Sequence, residues 1–142
     1  LSHHRMSDYV FDLDKMVALE GDTAPYLLYS YVRSRSIFRK LDGEVELRGD
    51  SLHLTEKAEI HLVRMLTRYS DQVHQVVEDY RPNLLATYLL ELARAFHSFF
   101  EACPVLKSEG QTRESRLILC DLTSRVLKDG LNLLAIPVPE RM

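Results

Sequence analysis

"NLLATYLLELARAFHSFFEACP", Asn83 to Pro104, is the stretch that decides the fold. Leu85, Leu89, Leu92, Phe96, Phe99 and Cys103 recur in it at steps of four and three. A helix turns once in about 3.6 residues, so these side chains form one continuous apolar stripe. A stripe of leucine and phenylalanine that long must be covered by other parts of the chain. Pro104 cannot continue the helix, because its ring clashes and it has no N–H to donate. Upstream, Arg81-Pro82-Asn83 stops whatever precedes.

The segments on either side read the same way. A helix from about Arg113 to Leu134 follows a loop, LKSEGQ, with Thr112 as its cap. Its candidate inward positions are Leu119, Thr123, Val126, Leu127, Leu131 and Leu134. Gly130 inside it costs about 1 kcal/mol against alanine unless something packs closely there. The tail IPVPERM, with two prolines, cannot remain helical. Before the central stretch, Thr55-Glu56 opens a helix with Ala58, Leu62, Met65 and Tyr69 inward. Ser70-Asp71 is a fresh cap, and Val73, Val76, Val77 and Tyr80 continue the stripe on a second short helix. Earlier still, Leu27, Tyr31, Ser34, Phe38 and Leu41 share a face, with Pro25 in the first turn and Asp22 or Thr23 as cap. Asp42-Gly43 breaks that helix, and 43–54 reads as a loop. No segment alternates as a strand does, and there is no internal repeat. The expectation is an all-α helical bundle of about five helices.

The totals fit one domain of 142 residues, large enough to bury a core without disulfides or metals. No apolar run approaches the roughly 18 to 20 residues that cross a bilayer, so no membrane partner is expected. The start, LSHHRMSDY, lacks the apolar segment of a signal peptide, which points to a cytoplasmic protein. It opens on Leu, which suggests a piece of a longer protein. Cys103 and Cys120 form no CxxC pair; they read as buried free thiols, with a disulfide or a reactive thiol as the other readings. Phosphate-binding loops, dinucleotide fingerprints and a nucleophile elbow are all absent. His3-His4 are neighbours that diverge on a helix, and His53, His61, His74 and His97 are scattered, so no metal is expected. Asp12 and Asp14 diverge as well and read as surface charges rather than a catalytic pair.

Net charge is −3, unfavourable for nucleic acid as a total, but its distribution is uneven. Residues 23–41 carry four cations and no acid, and acidic segments flank them. The same segment holds Tyr26, Tyr29 and Tyr31. With Leu27 set at zero, Tyr26 falls at about 260°, Tyr29 at about 200° and Arg33 at about 240°. Two tyrosines and an arginine therefore share a face away from the apolar stripe. That face either meets a neighbouring helix or is a surface on which unpaired bases stack beside a cation, at about 1–3 kcal/mol per base.

Four blocks bring a resemblance to bear. They are Asp8-Tyr9-Val10-Phe11-Asp12; Glu20-Gly21-Asp22-Thr23-Ala24-Pro25-Tyr26, running through Tyr29 and Arg33 to Ser36-Ile37-Phe38-Arg39-Lys40; Leu84-Leu85-Ala86-Thr87-Tyr88-Leu89 through Phe96, Phe99 and Phe100 to Cys103-Pro104-Val105; and Leu127-Lys128-Asp129-Gly130-Leu131 with Pro139-Glu140-Arg141-Met142. Together, in order and over nearly the whole chain, they resemble the C-terminal part of arginyl-tRNA synthetases. The resemblance implies the anticodon-binding helical bundle of class I aminoacyl-tRNA synthetases. Residues 1–20 would be a stem from a catalytic domain, residues 21–142 the bundle, and Met142 the natural C-terminus.

In that family, anticodon contacts fall on positions that match Asp22, Tyr26, Tyr29, Arg33, Phe100 and Met142. The implied partners are tRNA(Arg) and the catalytic domain of the same polypeptide. No cofactor is implied for this chain; ATP with Mg belongs to the parent's catalytic domain. The His-x-Gly-His and Lys-Met-Ser-Lys-type motifs of that domain are absent, and Arg5-Met6-Ser7-Asp8 only faintly resembles the second. Three positions depart from the family pattern. Leu28 stands where Gln is frequent, Phe100 where Tyr is frequent, and Asp22 where Asn sometimes occurs. Leu28 falls at about 100°, off the tyrosine face, so its change bears on packing. The rival readings are a like module of another class I synthetase, a helical protein-interaction module with no RNA role, and an autonomous enzyme. No role attaches to the acidic segment 42–50.

Overall fold

The computed structural model describes residues 8, 10, 12, 23–41 and 52–141. The acidic 42–50 segment, Asp22, Met142 and all but isolated positions of the expected stem lie outside the described residues. Among the described residues five helices follow in order: α1 (Ala24–Arg39), α2 (Lys57–Thr67), α3 (Tyr69–Asp79), α4 (Pro82–Ala102) and α5 (Gly110–Leu133). There is no strand among the described residues, so the all-α bundle stands. Only Arg68 separates α2 from α3.

α4 packs against each of the other four helices. Its whole expected stripe, Leu85 to Cys103, is buried. Leu62 and Met65 of α2, Leu119, Leu127 and Leu131 of α5, and Leu27 and Ile37 of α1 complete the core. The position of Gly130 has a steric cause. A Cβ there would lie 2.6 Å from Leu89 Cδ2, so α4 and α5 touch where only glycine fits. Both cysteines are free and buried, and burial pushes the Cys120 thiol far up, which keeps it protonated and unreactive.

α2 opens on a reciprocal cap. The Glu59 carboxylate accepts from the backbone N–H of Thr55 at 2.8 Å and of Glu56 at 2.9 Å. Its other oxygen accepts from Arg116 Nε at 2.7 Å. Arg116 Nη1 also donates to the Pro104 carbonyl and to Ser108 Oγ. One buried ion pair thus ties the start of α2 to α5 and to the α4–α5 loop.

Three expectations need correction. The buried positions of α1 are Leu27, Ser30, Val32, Ser34 and Ile37, while Tyr31, Phe38 and Leu41 are half-buried at the edge of the core. α1 packs against both α4 and α5, and small serines let the backbones approach. α3 starts at Tyr69 rather than after a Ser70-Asp71 cap, and none of its residues is buried. Val76 reaches the core, but Val77 is 66% and Tyr80 73% exposed, because α3 packs mainly against α4 and the end of α2, with Tyr69 at its start bonded to Asp129 of α5. α5 begins at Gly110, with Glu109 rather than Thr112 at the cap. Its far end closes with the N–H of Ile136 on the Leu131 carbonyl and that of Ala135 on Asn132, both 2.9 Å. That pattern needs a left-handed residue, and Ala135 supplies it at φ 58°.

Candidate nucleic-acid interface

α1 and α4 bring Tyr26, Tyr29, Arg33 and Phe100 together, as the shared face of α1 suggested. The group at their centre is one the sequence reading passed over, His97. Its ring stacks on Tyr26 at 5.3 Å between centroids and lies nearly parallel to Tyr29 at 6.0 Å and 9°. Arg33 extends across the same spot. Its guanidinium carbon sits 4.3 Å from the Phe100 ring centre and 5.9 Å from that of Tyr29. These are distances at which a cation is drawn to an aromatic face.

The hydrogen bonds fix the protonation of His97. Arg33 Nη1 lies 3.0 Å from Nδ1, and a guanidinium can only donate, so Nδ1 carries the lone pair. The ring proton is therefore on Nε2, which donates to Ser30 Oγ at 3.1 Å. Ser30 Oγ passes its own proton to the Tyr26 carbonyl at 2.8 Å. The donors run in one direction, from Arg33 through His97 and Ser30 back to Tyr26. Burial, then the neighbouring Arg33 charge, lowers the His97 pKa from 6.5, against an opposing pull from Glu101. The ring is thus neutral at physiological pH, as its acceptor role requires.

Exposure divides the cluster. Tyr29 is 48% exposed, whereas Tyr26, Arg33, His97 and Phe100 are half-buried. An incoming flat group would meet the Tyr29 ring and the Arg33 guanidinium, with Tyr26 and His97 behind them. Phe100 has no hydroxyl, so its part is to present a face to Arg33. The other two arginines of the 23–41 segment turn elsewhere. Arg35 pairs with Asp121 of α5 at 3.4 Å, and Arg39 donates to the Glu140 carbonyl at 3.1 Å. The local positive charge is thus spread around α1, and Arg33 alone of its arginines belongs to the aromatic face. The Arg39 bond brings the tail to the last turn of α1, while Ile136 and Val138 pack on the core.

The cap of α1 also differs from expectation. Thr23 occupies the N-cap position, yet its hydroxyl makes no capping bond and has no partner. Leu28 packs against the core, in accord with its place off the tyrosine face. Among the described residues no group of three or more His, Cys, Asp or Glu is placed to hold a metal ion. No helix is long and apolar enough to cross a membrane among them.

The signal for His97 was present in the sequence. It lies three residues before Phe100, so both project to one side of α4. Ser30 is the small polar residue between Tyr26 and Arg33 on α1. A search for metal spacing discards such a histidine; a search for a partner to Arg33 keeps it.

Comparison with known proteins identifies the family. Residues 27–142 match the family described as the DALR anticodon binding domain. An arginine–tRNA ligase of Rippkaea orientalis is 51% identical over 100% of this chain, which spans 25% of that protein. The arginyl-tRNA synthetase structure of Thermus thermophilus superposes with a TM-score of 0.76 at 34% identity, over 88% of this chain and 22% of that one. That of Plasmodium falciparum gives 0.84 at 32% identity, over 99% and 25%. With its helical fold and its sequence in agreement, the chain belongs to the DALR anticodon binding domain family.

Proposed function

We propose that this chain is the anticodon-reading module of an arginine–tRNA ligase. The observation that carries the reading is the Tyr29–Arg33–Phe100 surface, preorganised by His97, in a chain of this family. An unpaired base of the tRNA(Arg) anticodon loop stacks on Tyr29, and Arg33 donates to a base edge or a phosphate. Tyr26 supports the stack from behind, and Phe100 holds the guanidinium flat. By the family resemblance, Asp22 and Met142 are assigned to anticodon contact as well. A carboxylate at Asp22 accepts from a base amino group and repels phosphate, so its contact is with a base.

The parent enzyme attaches arginine to tRNA with ATP and Mg through a catalytic domain outside this chain. In this reading residues 1–20 form the stem from that domain and 21–142 the bundle, in a cytoplasmic protein. The chain contributes recognition and no chemistry.

Arginine anticodons share a central C, which makes that base the natural determinant. The test compares binding of an arginine tRNA transcript with that of a twin whose central C is changed. Discrimination that disappears with Tyr29→Ala and with Arg33→Ala supports the reading. Equal binding of both transcripts, untouched by either substitution, refutes it.

A further inference from the structure

A second cationic surface lies on the other flank of α4. Lys57, His61, Arg64 and Arg68 follow one another along α2 at steps of four, three and four, and all four are exposed. That spacing confines them to one narrow stripe of the helix. The single acid of α2, Glu59, is turned inward, 0% exposed, and held by Arg116. The cationic excess of this surface therefore lies in Lys57, Arg64 and Arg68, with exposed Glu56 at the helix start beside Lys57.

This stripe borders a groove between α2 and α4. Its floor is Met65 and Ala95, and its walls include His61, Arg68 and Arg94, with Glu91 the one acid lining it. The groove measures about 370 Å³ and is open to solvent. Arg94, which has contacts of its own, is one turn from His97 on the outward side of α4. Arg94, His97 and Phe100 thus follow one another over about 9 Å of helix, from the groove to the aromatic face. Glu101 shares that side, so α4 itself is mixed in charge and the excess of cations comes from α2.

Resting on the function proposed above, we infer that the α2–α4 groove holds backbone phosphates of the same RNA whose bases stack beside Arg33. The charge and the position both select that occupant. Exposed arginines on either wall of an open groove complement a polyanion, and the groove adjoins the aromatic face along one helix. These contacts read no sequence; they set the orientation of the RNA on the bundle.

Salt separates the two surfaces. Each phosphate contact adds about 0.7–0.9 to the slope of log affinity against log salt, and a stacking contact adds almost nothing. The groove variant Arg68→Gln/Arg94→Gln is compared with Lys107→Gln/Lys128→Gln, which removes the same charge from exposed positions elsewhere. The probe is the arginine tRNA transcript with its central-C twin, over a series of salt concentrations. We expect the groove variant to lose about 1.4–1.8 units of slope and to bind both transcripts more weakly by the same factor. The control variant keeps nearly the wild-type slope. Arg64→Glu, a single change on the outer stripe, should also flatten the slope. Groove, stripe and control variants that all match wild type while Tyr29→Ala weakens binding would overturn this surface and leave the aromatic reading standing. If Tyr29→Ala also binds as wild type does, the proposed function falls with it.

Discussion

Replacing His97 by asparagine and by glutamine separates the two bonds of its ring. The asparagine amide ends near the position of Nδ1, so its oxygen can still accept from Arg33, but it does not reach Ser30. The glutamine amide ends near Nε2, so it can still donate to Ser30, but it leaves Arg33 without an acceptor. Both remove the ring that stacks on Tyr26 and Tyr29, so the loss of stacking is matched between them. The bond from Arg33 to Nδ1, at 3.0 Å, is charge-assisted, a class worth about 1.5–3 kcal/mol when buried. Arg33 is partly exposed, so about 1 kcal/mol of folding stability is the most to expect. The effect on RNA comes from ordering. A guanidinium no longer fixed must be immobilised on binding, at about 0.5–1.5 kcal/mol, or about a 2- to 13-fold loss of affinity. The glutamine variant should therefore bind the arginine tRNA transcript that much more weakly than the asparagine variant. Nitrogen chemical shifts of the native His97 ring should report the proton on Nε2. A proton on Nδ1, or equal affinities of the two variants, would refute the assignment.

The same ring gives a pH dependence. The fold lowers its pKa, so its contribution to stability is complete above the ordinary 6.5 and is lost as pH falls through the depressed folded value; urea melts in that window should show it in the native chain and not in His97→Asn. Breaking the buried pair with Arg116→Met leaves the Glu59 carboxylate buried with only its two backbone donors, and should cost about 3–5 kcal/mol by chemical denaturation, whereas Glu59→Gln/Arg116→Met should recover part of it. Gly130→Ala gains about 1 kcal/mol of helix propensity but drives a methyl group into the buried Leu89 side chain, so thermal melts should show a net loss; in a Leu89→Ala background the same change should stabilise. Ala135→Gly relieves a left-handed residue at the end of α5 and should raise stability by about 1 kcal/mol, with no change in RNA binding.

The stripe of α4 was legible because one helix carries the whole signal. Leu85 to Cys103 repeat at helical spacing, and any fold that makes them helical must bury them. Gly130 was half legible. Its cost showed in the sequence, but the Leu89 methyl groups that explain it belong to another helix. Tyr26, Tyr29 and Arg33 could be placed on one side of α1 by counting angles, and that side is indeed where α4 meets it. What no single-helix pattern contains is the pairing across helices. His97 and Arg33 are 64 positions apart, and Glu59 and Arg116 are 57 apart. Val77 and Tyr80 mislead for the same reason, since their spacing is that of a buried stripe but none of the described helices covers them.

The same limit applies to counting charge along the chain. The run of four in residues 23–41 looks like one basic patch, but a helix distributes successive residues around its circumference. Arg35 and Arg39 are turned to Asp121 and to the tail, where they fasten α1 to the rest of the bundle. On α2 the reverse holds. The surrounding sequence is acidic, yet Glu59 points into the core and Lys57, Arg64 and Arg68 point out on one side. A field that attracts RNA depends on which charges reach the surface together and which are neutralised inside. By that measure Arg33, with its aromatic neighbours, is suited to hold one base or phosphate in a fixed place. In the inference above, the α2 stripe draws in a backbone whatever its sequence. A module that orients RNA with the second surface and reads it with the first needs both on one rigid element, and α4 is the helix that borders both.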